Sequence, residues 1–195
     1  MNNQRTFAVI AALGLGVCAQ AITFSNFIYS SPFGLGASNV PNGNSVSIFT
    51  PNAIAGSGIG PGGNFVIQFD VDMGAGQVAQ NIGVNISVPT SGAGQVLFSE
   101  FAVELDNVGN EVGGIITGAL ASNNPPAGYI SGTIPFIKQV QRFRVKKSFT
   151  LVAPQQVPSF AAVAIVNQSF TPVPEPATMV ALGLGVAAIA RRRSK

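Results

Sequence analysis

The sequence predicts an all-β protein. Four segments between residues 22 and 172 alternate apolar and polar residues with period two, the mark of a half-buried strand. Spacers rich in glycine, proline, asparagine and serine, such as 61–64, 90–94 and 123–128, separate these and weaker segments with turn chemistry. No amphipathic helical pattern interrupts them. About nine short strands joined by such turns make an antiparallel β-sandwich of jelly-roll or Ig-like type. It is expected to be flanked by an N-terminal signal helix and a short C-terminal membrane helix.

In residues 65–72 the side chains of Phe65, Ile67, Phe69 and Val71 face one way, and Gln68, Asp70 and Asp72 the other. Residues 82–88 place Ile82, Val84, Ile86 and Val88 together, and 101–106 oppose Phe101, Val103 and Leu105 to Glu104 and Asp106. Residues 142–151 put Phe143, Val145, Phe149 and Leu151 on one face. Lys147 falls on that same apolar face, which predicts a bulge or strand end there. Weaker strands are expected at 22–30, 45–50, 114–120, 128–137 and 161–170. The Gly-, Asn-, Ser- and Pro-rich stretch 31–63 reads as a long mobile loop.

The two ends differ from this middle. Polar residues with one base, Arg5, lead into an apolar run at 7–17, followed by Ala19, Gln20 and Ala21. This is the plan of a secretory signal peptide cleaved after Ala21. Residues 15–18 also resemble a lipoprotein signal, although Val17 stands where a small residue is usual before Cys18. At the other end, Pro174, Glu175 and Pro176 precede an uncharged run to Ala190, closed by Arg191, Arg192 and Arg193. Prolines stop the preceding element, and the arginines hold the cytoplasmic side of a membrane. A helix over 177–190 spans about 21 Å, short of the roughly 30 Å hydrocarbon core, so thinning or snorkelling would cover the deficit.

This tail, with its Pro174-Glu175-Pro176 motif, short apolar run and arginine cluster in order, resembles the PEP-CTERM sorting signal. The resemblance covers the last 23 residues, and the family shares its tail, not its passenger. It implies that the secretion machinery exports the chain and that the inner membrane holds it transiently. An exosortase-type enzyme then processes it near Glu175, and it reaches the cell surface or the matrix of a biofilm. The expected organisation is therefore a signal at 1–21, a passenger at 22–172 and a sorting tail at 173–195.

Composition narrows what the passenger can do. Charged residues make up 9% of the chain and hydrophobic residues 47%. The formal charge of +3 comes from the ends. Between 22 and 172 the bases Lys138, Arg142, Arg144, Lys146 and Lys147 meet six acids, Asp70, Asp72, Glu100, Glu104, Asp106 and Glu111. That balance offers no nucleic-acid footprint. The chain has no histidine, and Cys18 is its one cysteine. Histidine-dependent hydrolases, histidine-ligated zinc sites and thiolate chemistry are thereby excluded from the passenger.

Three constellations remain. Asp70 and Asp72 offer oxygen ligands of the kind calcium takes, but no glycine-spaced calcium loop surrounds them, and two exposed strand carboxylates is the favoured reading. Glu100, Glu104 and Asp106 contain a carboxylate pair of the kind glycoside hydrolysis needs. They are expected on one solvated side, with no tryptophan platform nearby, so an enzyme is not expected. Arg142, Arg144 and Lys146 line one strand face, suited to acidic polysaccharide or to pairing with acids on the next strand, the second being favoured. No catalytic or cofactor-binding residues are assigned. The reading is a structural or adhesive surface protein, with a carbohydrate- or calcium-binding module as the alternative.

Overall fold

A computed structural model describes residues 21–33, 37–118, 120–123 and 128–193. The expected signal segment, with Cys18 and Ala19, lies outside the described residues, apart from Ala21, which is exposed beside the first strand. Fourteen strands and one helix follow among the described residues. They are β1 (Thr23–Ser30), β2 (Ser38–Asn42), β3 (Ser45–Phe49), β4 (Ile54–Gly56), β5 (Gly62–Asp72), β6 (Gln77–Ser87) and β7 (Thr90–Gly92). Then come β8 (Gln95–Leu105), β9 (Glu111–Ile115), β10 (Leu120–Asn123), β11 (Tyr129–Val140), β12 (Arg142–Val152), β13 (Ser159–Ala162), β14 (Ile165–Pro174) and α1 (Pro176–Arg193).

All strand pairs are antiparallel. Sheet A runs β1-β5-β12-β8-β10, with β9 also paired to β8. Sheet B runs β11-β6-β14-β3-β2, and a small third sheet runs β4-β13-β7. Sheets A and B pack face to face over one apolar core. Phe170 of β14 crosses from sheet B to meet Phe24 at 5.7 Å and Phe143 at 5.6 Å, ring centre to ring centre. Within sheet A, Phe149 stacks on Phe65 at 4.6 Å and lies 4.9 Å from Phe98. Each large apolar side chain removed from water in this way contributes about 1.5–3 kcal/mol.

The expected alternation of β5, β6 and β12 matches the core faces: Phe65, Ile67, Phe69 and Val71, then Ile82, Val84, Ile86 and Val88, then Phe143, Val145, Phe149 and Leu151 are all buried. Four expectations are corrected. First, β12 pairs from Arg142 to Val152 with β5 without a register shift, so Lys147 marks neither a bulge nor an end. It lies fully buried in mid-strand. Second, β8 is in the opposite phase. Val96, Phe98, Glu100 and Ala102 pair with Leu151, Phe149, Lys147 and Val145 on the core face, so Phe101, Val103 and Leu105 lie on the outside of sheet A. Val103 and Leu105 are nonetheless buried, because the turn at 106–110 folds over that face. Arg144 Nη2 donates to the Gly109 carbonyl and Arg142 Nη1 to that of Asn107. A cover on the outer face puts apolar residues on both sides and defeats a simple alternation rule.

Third, the stretch read as a mobile loop, 31–63, contains β2 and β4 besides β3, which coincides with the strand expected at 45–50. Gly43, at φ 58°, supplies the left-handed residue of the β2–β3 hairpin, and the polar edge strand β2 needs little apolar content. The weaker segments at 114–120 and 161–170 each divide, into β9 and β10 and into β13 and β14.

Fourth, the C-terminal helix forms, yet among the described residues no helix is long and apolar enough to cross a membrane. Its apolar run ends at Ala190, and arginines occupy the final turn.

Prolines sit where the ladder does not need a donor. Pro41 and Pro135 lie in the edge strands β2 and β11. Pro172 and Pro174 lie beyond Ser169, where β14 has lost β3 and keeps only β6. This thinning of the sheet ends the fold and begins the tail.

Candidate functional site

The Pro174–Pro176 motif is the junction of β14 and α1. Pro174 is the last residue of β14, opposite Gln77. The Glu175 N–H donates to the Gly76 carbonyl at 3.0 Å, and its own carbonyl accepts the Met179 N–H at 3.1 Å, the first helical bond. Pro176 opens the helix, a position where its missing N–H costs nothing. The helix does not pack on the sandwich. Met179, Val180, Leu182, Leu184 and Val186 are 52–67% exposed. An uncovered apolar helix of this kind needs another partner or environment. Arg191 and Arg192 are exposed at its end.

The charged residues of the passenger are mostly used by one another. Asp70, 5% exposed, accepts from Arg144 Nε at 2.6 Å and Nη2 at 2.9 Å, and from Asn26 Nδ2 at 2.8 Å. That fork holds the Arg144 guanidinium even more firmly protonated than usual. Asp72 accepts from Arg142 Nε at 2.6 Å and from the Gly74 N–H at 2.9 Å. Both carboxylates line a small cleft of ≈ 210 Å³ with Thr23, Asn26 and Asn107, but guanidinium groups occupy the positions a calcium ion would need. Among the described residues no group of three or more acidic, histidine or cysteine side chains is arranged to hold a metal ion.

Lys146 reaches Glu111 Oε1 at 2.7 Å, and Arg144 reaches it at 3.1 Å. Hydrogen bonding from Lys146, then from Arg144, pulls the Glu111 carboxyl below its ordinary 4.5. The basic row Arg142, Arg144 and Lys146 is thus an internal ladder rather than an open anion site.

Glu100, Glu104 and Asp106 are not brought together. Asp106 caps its own turn, accepting from the N–H groups of Val108 and Asn110; those bonds, Asn110 first, lower its pKa. Glu104 pairs with Lys138. Glu100 is fully buried, with no solvated side at all. It bonds Lys147 and accepts from Gln168 Nε2 at 2.8 Å. Sequence reasoning flagged Lys147 as out of place but did not find its partners, which sit on other strands.

A feature not anticipated from sequence lies on the outside of sheet B. Ser131, Asn85, Asn167 and Ser47 stand in register across β11, β6, β14 and β3. In the next row Gly83, between Thr133 and Ser169, leaves a dip. Together they line a groove of ≈ 480 Å³ whose lining carries no charged residue. The row above holds Tyr129, 61% exposed, and Phe49, 37% exposed. The signal was present as serine and asparagine on the polar phase of these strands, but only pairing aligns them.

Residues 172–194 match the PEP-CTERM protein-sorting motif. This segment is a sorting signal recognised by exosortase and carried by exported, envelope-directed proteins. No curated protein matches the chain in sequence. Among solved structures, one of TmCBM61 in complex with β-1,4-galactotriose is 12% identical with a TM-score of 0.39, covering 77% of this chain and 90% of that one. A structure from a study of promiscuous carbohydrate-binding modules of the β-sandwich superfamily is 6% identical with a TM-score of 0.36, covering 78% of this chain and 56% of that one. A CBM4 structure is 9% identical with a TM-score of 0.29, covering 76% and 86%. Likenesses this distant carry no argument about ligand or activity.

Proposed function

We propose that the chain is a non-enzymatic structural or adhesive protein of the cell surface or extracellular matrix, delivered there by exosortase sorting. The observation that supports this most is the matched tail at 172–194, which begins where β14 thins to one neighbour and continues as a helix that leaves the sandwich. In this reading the secretion machinery exports the chain, the exposed apolar helix holds it briefly at the inner membrane, and cleavage near Glu175 releases or transfers the passenger. Cleavage there would remove no core residue. The test is the intact mass of surface and secreted forms with and without the processing enzyme. The mature chain is expected to begin near Ile22 and to lack Arg191–Arg193 only when the enzyme is present. Recovery with both ends uncut in its presence refutes the sorting model.

A second reading, binding of neutral extracellular polysaccharide, is favoured by the groove on sheet B. Its hydroxyls and carboxamides suit sugar hydroxyls, and Tyr129 and Phe49 offer apolar surface at its edge. Asn85→Ala with Asn167→Ala is expected to weaken retention of the passenger on neutral polysaccharide gels at least about tenfold, the effect of roughly 1.4 kcal/mol. Equal migration of wild type with and without polysaccharide excludes this reading.

A further inference from the structure

Lys147, Glu100 and Gln168 form the one ionic cluster of the core among the described residues, each 0% exposed. Lys147 and Glu100 face each other across β12 and β8 in sheet A, and Gln168 comes from β14 in sheet B. Three bonds close the triangle. Lys147 Nζ donates to Glu100 Oε2 and to Gln168 Oε1, and Gln168 Nε2 donates to Glu100 Oε1 at 2.8 Å. Their surroundings are apolar. Phe149 and Val145 flank Lys147 on its face, Nζ lies 5.6 Å from the centre of the Phe98 ring, and Val84 and Val46 flank Gln168 in register.

This arrangement has the parts of an acyl transfer. An amine touches the oxygen of a carboxamide, and one carboxylate bridges the amine and the amide nitrogen that would leave. We propose that Lys147 and Gln168 join in a spontaneous intramolecular amide bond, with Glu100 as the proton carrier, covalently tying sheet A to sheet B. Burial disfavours the ammonium form of Lys147, outweighing the opposing pull of Glu100, and so supports an amine able to attack.

The step balances. Lys147 gives one proton to Glu100, and neutral Nζ attacks Cδ of Gln168. Glu100 passes the proton to Nε2, the Cδ–Nε2 bond breaks, and ammonia leaves. Nζ loses its second proton to Glu100, which ends as a neutral acid. No oxidant, water or cofactor is consumed. The product replaces a buried ion pair, costly to desolvate, with an amide and a neutral carboxyl group. It also places a covalent bond in β14, the strand that carries the tail, so that pull applied from that end passes directly into β12.

The test is the intact mass of the folded full chain, with peptide mapping. The expected result is a chain lighter than its sequence by one ammonia. A branched peptide should join the segments holding Lys147 and Gln168, with no tryptic cut at Lys147. In Glu100→Gln, loss of the proton carrier should slow bond formation at least about a hundredfold, and Lys147→Met should show none. If either variant fails to fold, the wild-type mass decides alone. A folded wild type at full sequence mass overturns the proposal, and so does ammonia loss mapped elsewhere, such as Asn42. Processing at the termini removes whole residues rather than one ammonia, so this result is independent of the sorting model.

Discussion

Strand β12 carries four cations, and its two faces treat them differently. Arg142, Arg144 and Lys146 point outward and meet Asp72, Asp70 and Glu111 at a partly solvated surface. Lys147, one residue on, points inward and meets Glu100 and Gln168 where water cannot reach. The outer pairs keep long side chains in order over a polar face, and those that stay solvated add little to stability individually. Until the amide bond forms, the inner cluster places two formal charges in a medium that opposes charge, so its geometry has to satisfy every polar atom. No buried side-chain nitrogen or oxygen among the described residues lacks a partner. Pairing is therefore obligatory on the inner face, and on the outer face it matters chiefly where the carboxylate is buried, as at Asp70.

Breaking the inner cluster should have the largest effect. Lys147→Met removes both the cation that faces Glu100 and the amide bond proposed above, and is expected to cost at least about 3–5 kcal/mol in denaturant unfolding. Lys147→Met with Glu100→Met and Gln168→Leu, which leaves no buried polar group of the cluster unpaired, should recover the ionic part of that loss, since apolar replacement of a whole buried ionic group is close to neutral. A triple variant no more stable than the single one would show that the cluster does more than neutralise itself, as a covalent tie would.

The outer ladder should respond less and unevenly. Arg144→Met strands Asp70, at 5% exposure, with Asn26 as its remaining side-chain partner, and should cost about 1–3 kcal/mol. Lys138→Met, at the exposed pair with Glu104, should cost at most about 1 kcal/mol. Equal losses at the two positions in thermal melts would mean that burial of the carboxylate does not set the scale.

The comparison also shows what a sequence can carry. The core faces of β5, β6 and β12 are legible because the period of two is local and their outer faces are polar. The inner cluster was half legible, since Lys147 breaks an otherwise apolar phase, a visible anomaly. Its resolution depends on Glu100 and Gln168, 47 and 21 residues away, and on how two sheets face each other, which no local pattern encodes. β8 was misread for a related reason: the turn at 106–110 covers its outer face, so Phe101, Val103 and Leu105 imitate a core phase. The neutral groove went unseen because serine and asparagine on exposed strand positions look alike whether or not neighbouring strands align them. The sorting tail was legible because its motif, apolar run and arginines lie in sequence order and need no partner strand.

The smallest effect concerns acid. Hydrogen bonds from Lys146, then Arg144, lower the Glu111 carboxyl below 4.5. A carboxyl with a depressed folded pKa lends stability that is fully present above its unfolded value and is lost as pH falls through its folded value. Glu111 should therefore contribute at neutral pH and cease to contribute once pH drops well below 4.5. Because this group is largely solvated, screening holds its contribution to at most about 1 kcal/mol. Glu111→Gln should lower the melting temperature slightly at pH 7 and leave it unchanged near pH 2, so that wild type and variant converge on acidification. Asp106 is lowered as well, by its Asn110 bonds, and titrates equally in both proteins, which makes the difference between them the proper readout. A gap that persists at pH 2, or widens there, would assign the role of Glu111 to packing of the outer face rather than to its charge.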